Sequence, residues 1–155
     1  MNNKALSNMK EIIDIKDLSL TLSSHAGVVN ILNRVNLKIK KGETVSIVGP
    51  SGAGKTSLIM LLSGLEKASS GTIKVFDQDI TTLSEDELAR FRLQNVGIVF
   101  QNYYLIPSLN ALDNVSIPLE LAEVKDANFV AMKALDAVGL KNRYYHLPSQ
   151  LSGGE

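Results

Sequence analysis

One stretch constrains this chain more than any other: Gly49-Pro50-Ser51-Gly52-Ala53-Gly54-Lys55-Thr56. It reads G-x-x-x-x-G-K-T, a pattern whose backbone N–H groups, lysine and hydroxyl suit the phosphates of a nucleoside triphosphate. Its context agrees. Thr44 to Val48 is a short β-branched run that predicts a buried parallel strand. Ser57 to Leu62 is an apolar run that predicts a helix stopping at Gly64. Strand, glycine loop and helix together form the required setting. A glycine-rich turn that merely joined a strand to a helix would have no use for Gly-Lys-Thr at this spacing.

The residue types supply the chemistry. The loop glycines permit backbone conformations that a Cβ opposes, so successive N–H groups can converge on an anion at a helix N-terminus. Lys55 adds a mobile positive charge, and the Thr56 hydroxyl is placed to ligate Mg²⁺. Gly49, Pro50, Ser51, Gly52, Ala53, Gly54, Lys55, Thr56 and Ser57 are the candidate ATP-binding residues.

The rest of the chain reads as mixed α/β. Ile12 to Leu22 alternates as a half-buried strand, Ser23 to Gly27 reads as a loop, and Val35, Leu37 and Ile39 mark a second strand. Thr72 to Phe76 is a further strand, followed by a polar turn at Asp77 to Asp79. Ser84 and Glu87 form a capping box for a helix whose apolar positions are Leu88, Phe91 and Leu93. The acidic cluster there is a helix cap, not a metal site. Val96 to Phe100 predicts a second buried strand, closed by Gln101. A bulky apolar loop follows through Pro107, then a helix to Leu121 broken or kinked at Pro118. Asp126 is placed to cap a last helix, with Phe129, Met132, Leu135 and Val138 on its core face and Gly139 at its end.

Composition narrows the partners. The 155 residues carry 16 basic and 16 acidic side chains, so bulk charge gives no attraction to nucleic acid. Cysteine is absent, which excludes disulfides and Cys-ligated zinc. No run reaches the ~18 apolar residues of a membrane span. Residues 1–10 read as a flexible polar lead-in without a signal-peptide core.

Three motifs occur together: the phosphate loop, a strand-ending Gln101, and Leu151-Ser152-Gly153-Gly154-Glu155. In combination they resemble the ATP-binding-cassette (ABC) ATPases, over essentially the whole chain from Glu11 onward. Val99-Phe100-Gln101, Leu105-Ile106-Pro107, Asn110 to Val115, Pro118-Leu119 and the final Glu155 resemble the macrolide-exporter and lipoprotein-release branch, most of all its YbbA-like ATP-binding subunits. The resemblance implies a P-loop NTPase core with an N-terminal antiparallel β-subdomain. Core and β-subdomain would span about 11–101, and an inserted helical subdomain about 102–155. It implies an ATPase subunit on the cytoplasmic face of the bacterial inner membrane that powers a membrane permease. Thr56 and Gln101 would contact Mg²⁺, and Gln101 would also sense the γ-phosphate and the attacking water. Leu151 to Glu155 would meet the ATP of a second, head-to-tail ATP-binding subunit. Tyr103 to Leu109 would receive a permease helix, the alternative being plain subdomain core. A soluble cassette protein and a non-hydrolysing fragment are the competing readings.

The sequence departs from the family in two places. Leu22 stands where an adenine-stacking aromatic is common, and the adjoining loop offers only His25. His25 and His146 are otherwise ordinary loop histidines. The family's strand ending in Asp-Glu, its general base and its switch histidine follow the L-S-G-G motif and do not occur within these residues. The chain therefore reads as C-terminally truncated, with negligible ATP turnover expected.

Overall fold

Alternation in the first strand builds the sheet. Ile15, Leu18 and Leu20 turn to one side and are almost completely buried, while Lys16, Asp17 and Ser19 between them meet solvent or neighbouring polar groups. In the computed structural model, which describes residues 10–24 and 27–152, this strand is β1 (Glu11–Ser24). It pairs antiparallel with β2 (Gly27–Lys40) on one side and β3 (Ser70–Val75) on the other. The short β4 (Gln78–Asp79) completes a four-stranded sheet of order β2-β1-β3-β4. The hairpin is longer than the sequence pattern predicts. Ser23, Ser24 and Gly27 belong to the ladder rather than to a loop, because backbone pairing continues past the last alternating apolar residue. The lead-in apart from Lys10, and His25, Gly153, Gly154 and Glu155, lie outside the described residues.

Helix α1 (Lys55–Leu62) and helix α2 (Glu85–Asn95) close over the sheet. Leu58 and Leu61 of α1, and Leu88 and Phe91 of α2, join the sheet's apolar face in one core. Each such large side chain withdrawn from water contributes about 1.5–3 kcal/mol. Arg92 fixes the end of α1: it donates to the Gly64 carbonyl at 2.6 Å and to Glu85 at 3.0 Å. Gly64 sits in the left-handed region just past the helix, as its predicted stop requires. The Ser84–Glu87 capping box is present in full. Leu93 does not join the core and is exposed. A 3₁₀ turn, Ile80–Thr82, stands beyond the polar turn, with Asp79 as its cap.

The two predicted buried strands are not regular strands. Residues 43–49 and 96–100 carry no ladder pairing, and every ladder among the described residues is antiparallel. A β-branched run favours extended backbone, but a strand also needs a neighbour to complete its hydrogen bonds. Ile47 and Val96 still turn toward the core, whereas Val48 is 88% exposed and Val99 fully so.

The chain forms two compact units, Met1–Ile98 and Val99–Glu155. The second is helical: α3 (Ala111–Leu121) packs on α4 (Ala127–Ala137). Helix α3 runs uninterrupted through Pro118. The buried face of α4 is Ala127, Ala131 and Leu135, while Phe129 and Val138 are exposed and Met132 is half-buried. Asp126 does precede α4, but in a left-handed conformation with no side-chain cap bond. Ala111, Leu112, Ala131, Leu135 and Leu140 form this unit's own core.

Candidate functional site

The candidate site begins with the absence of an ordinary helix cap. Helix α2 opens on a serine cap and three acidic residues. Helix α1 opens on Gly54, with no side-chain cap bond and no acid in its first turn. Its first N–H groups are therefore left to an external acceptor, and the positive end of the helix favours an anion. Gly54 is at φ 77°, ψ 10°, and Gly52 is at φ 80°. Both lie in the left-handed region that folds successive N–H groups to one side.

Packing fixes Gly54 a second time. A Cβ there would lie 2.9 Å from the Ile31 carbonyl oxygen and 2.9 Å from a Leu32 methyl. The loop thus rests directly on β2. The contact arises at a register shift: Leu20 pairs with Leu32 and Thr21 with Asn30, so Ile31 is the extra residue of a bulge. Ile31 and the segment Ser51 to Ser57 line a concavity of about 320 Å³. Ile31 is the lining residue the sequence does not announce, because its part depends on a contact 23 positions away in the chain.

Lys55 closes the loop. Its ammonium donates to the Gly49 carbonyl at 3.0 Å and to the Pro50 carbonyl at 2.7 Å. A third bond, Ala53 N–H to Pro50 oxygen at 3.3 Å, tightens the turn. Thr56 is exposed at the rim and Ser57 half-buried. All nine predicted loop residues, Gly49 to Ser57, are therefore gathered at one end of α1. An arc of N–H donors, one ammonium and a hydroxyl fit a triphosphate and its counter-cation.

The remaining predicted residues belong to the second unit. Gln101 is exposed at a bend, where the sequence predicts a strand end. The loop after it presents Tyr103 and Tyr104, 74% and 72% exposed, with the Tyr104 ring edge-on to Phe100 at 5.0 Å. Leu151 packs against the second core, and Ser152 is exposed. No helix among the described residues is long and apolar enough to cross a membrane.

Comparison with known proteins agrees with this geometry. A family model described as ABC transporter matches residues 32–155. The lipoprotein-releasing system ATP-binding protein LolD of Bacteroides fragilis is 44% identical over 131 residues, covering 83% of this chain and 61% of the relative. The ABC transporter ATP-binding protein YbbA of Escherichia coli K12 is 39% identical over 148 residues, covering 94% and 65%. The chain thus spans somewhat under two thirds of the length of these relatives. Among solved structures, the ATP-binding cassette MJ0796, dimeric in a post-hydrolysis state with ADP and Pi, superposes with a TM-score of 0.84. That match has 34% identity and covers 92% of this chain and 64% of the other.

Proposed function

The chain belongs to the ABC transporter ATP-binding family and has its α/β cassette fold, and from that premise we propose that it is the ATP-binding subunit of a permease-coupled ATPase. The observation that carries the reading is the uncapped, left-handed Gly54 start of α1, seated on Ile31 and facing the Lys55 ammonium. The N–H groups of Gly52 to Thr56 bind the β- and γ-phosphates. Lys55 exchanges the carbonyls of Gly49 and Pro50 for phosphate oxygens, a stronger charge-assisted contact. As the family likeness implies, Thr56 and Gln101 would each be a ligand for Mg²⁺, which would supply charge neutralisation of the transferred phosphoryl group.

Assembly completes the site in this reading. Ser152, Gly153 and Gly154 of one subunit approach the γ-phosphate held by the loop of a second, head-to-tail. ATP closes that pair and hydrolysis reopens it. The apolar loop Tyr103 to Leu109 receives a helix of a membrane permease, which keeps the subunit on the cytoplasmic face of a bacterial inner membrane. The likeness to LolD and YbbA and to a dimeric cassette supports both partners. The domain assignment accompanies this reading: core and β-subdomain to about residue 101, helical subdomain from about 102.

Titration with a fluorescent ATP analogue and Mg²⁺ tests the site. Saturable binding that Lys55→Ala weakens by tenfold or more is expected. Binding that is unaffected by Lys55→Ala would overturn the assignment of the loop. Co-purification with a permease from solubilised membranes tests the partner, and recovery only from the soluble fraction would favour the soluble-cassette alternative.

A further inference from the structure

Helix α3 begins in an unusual way, since its first-turn N–H groups are satisfied by two different parts of the chain. Ala111 N–H donates to the His146 carbonyl and Leu112 N–H to the Tyr144 carbonyl, both at 2.9 Å. Asp113 N–H donates to the Asn110 side chain at 2.9 Å, an ordinary cap. The helix therefore ends against the segment that runs on through Leu147–Gln150 to Ser152.

The same turn grips the exposed apolar loop through one side chain. Asn114 Oδ1 accepts from the Ile106 N–H at 2.8 Å. Its Nδ2 lies 3.1, 3.0 and 3.0 Å from the carbonyl oxygens of Ile106, Leu109 and Asn110, which share its two hydrogens. The amide both accepts from and donates to Ile106 while reaching two further carbonyls; a carboxylate cannot donate, a hydroxyl has a single hydrogen and an aliphatic group has none to give. The segment beyond is tied down as well. The Tyr144 hydroxyl donates to Asp136 on α4, His146 N–H donates to the Arg143 carbonyl, and Leu151 N–H to the Pro148 carbonyl. Tyr144 and Leu151 both pack on the α3–α4 core.

We infer that Asn114 is a positioning residue, and that the first turn of α3 is a junction joining the Tyr103–Ile106 loop to the segment carrying Ser152. A partner that pulls on the loop then acts through Asn114 on the helix end, and through Ala111 and Leu112 on the Tyr144–Ser152 segment. Nucleotide engaged at Ser152 acts along the same bonds in reverse, as linkage requires. The functional sense rests on the reading of loop and serine given above. The junction itself is read from these hydrogen bonds alone.

Amide hydrogen exchange on the full 155-residue chain, without nucleotide, tests the junction and is independent of ATP binding. In Asn114→Ala the Ile106 amide loses its acceptor. Exchange is expected to accelerate tenfold or more at Ile106, Ala111, Leu112 and Leu151, with the amides of α4 from Val130 onward unchanged. Acceleration confined to Ile106 and its neighbours would overturn the inference, because the two segments would then be independent. Equal acceleration throughout α4 would overturn it too, since Asn114 would then be only a stability residue. Should Asn114→Ala fail to fold, Asn114→Asp serves. It keeps the acceptor for Ile106 but turns a carboxylate toward three carbonyls, so Ala111, Leu112 and Leu151 are expected to accelerate, and an unaltered pattern at these three would overturn the proposal.

Discussion

The Lys55 ammonium lies 2.7 Å from the Pro50 carbonyl oxygen, so the loop's own backbone occupies its one mobile cation. A triphosphate offers that cation charged oxygens in place of neutral ones, each such hydrogen bond being roughly twice as strong. Lys55→Ala is therefore expected to weaken binding of a fluorescent ATP analogue by tenfold or more, the equivalent of about 1.5–3 kcal/mol. Stability should change by about 1 kcal/mol or less, because both carbonyls can return to water. Urea titration beside nucleotide titration separates the two effects.

Gly52 and Gly54 are both left-handed, yet they should answer differently to substitution. A Cβ on Gly52 meets open space, so Gly52→Ala carries only the backbone penalty of about 1–2 kcal/mol. A Cβ on Gly54 meets the Ile31 carbonyl at 2.9 Å, and that backbone belongs to the sheet. Gly54→Ala is expected to cost about 2–4 kcal/mol, strain and overpacking together. Equal melting temperatures for the two variants would contradict the seating of the loop on β2.

The loop and the α2 capping box were legible because each is a local event: the residues that make the contact lie within a few positions of one another. The two buried strands were not. Thr44 to Val48 and Val96 to Phe100 carry the right composition, but a ladder is a property of two segments, and composition speaks for one. The core face of α4 shows a different limit. Phe129, Met132, Leu135 and Val138 are spaced by three, and at about 100° per residue that series winds halfway round the helix. Ala127, Ala131 and Leu135, spaced by four, stay within about 80° of one another and form the buried stripe. Choosing the largest apolar residues overlooked two buried alanines, of which Ala131 packs in the core shared with α3. Ile31 and Asn114 escaped notice for the reason that hid the strands: their partners are distant or are backbone atoms.

The Ser84–Glu87 box gives a pH-dependent prediction. Glu87 accepts from the Ser84 N–H and hydroxyl, both at 2.8 Å. These bonds, the backbone one foremost, lower its pKa from the ordinary 4.5. A carboxyl with a depressed folded pKa stabilises the fold above its unfolded pKa, and loses that contribution as pH falls through the folded value. Ser84→Ala is expected to cost about 1 kcal/mol at neutral pH. Its deficit should shrink on acidification below the ordinary carboxylate range, because the parent then loses the hydroxyl–Glu87 bond that the variant already lacks. A deficit that stays constant from pH 7 to pH 3 would rule out the ionised box as its source.

Leu22 bears on which nucleotide the loop takes. It is 47% exposed and pairs with Val29, 53% exposed. Two positions along β1 from Leu20, it shares the face that carries Leu32 to the loop at Gly54. This ledge is aliphatic: it can contact a base but has neither a ring to stack on it nor a polar group to read its edge. Affinity should therefore follow the triphosphate, with ATP and GTP binding within about threefold of each other, less than the ~1 kcal/mol that a single stacked ring supplies. Leu22→Tyr should strengthen purine nucleotide binding by about fivefold or more, at the low end of what base stacking on an aromatic contributes. Competition of unlabelled ATP and GTP against one fluorescent triphosphate measures both. A parent chain that prefers ATP by more than tenfold would mean that another group reads the base, and His25→Ala would then identify or dismiss that histidine.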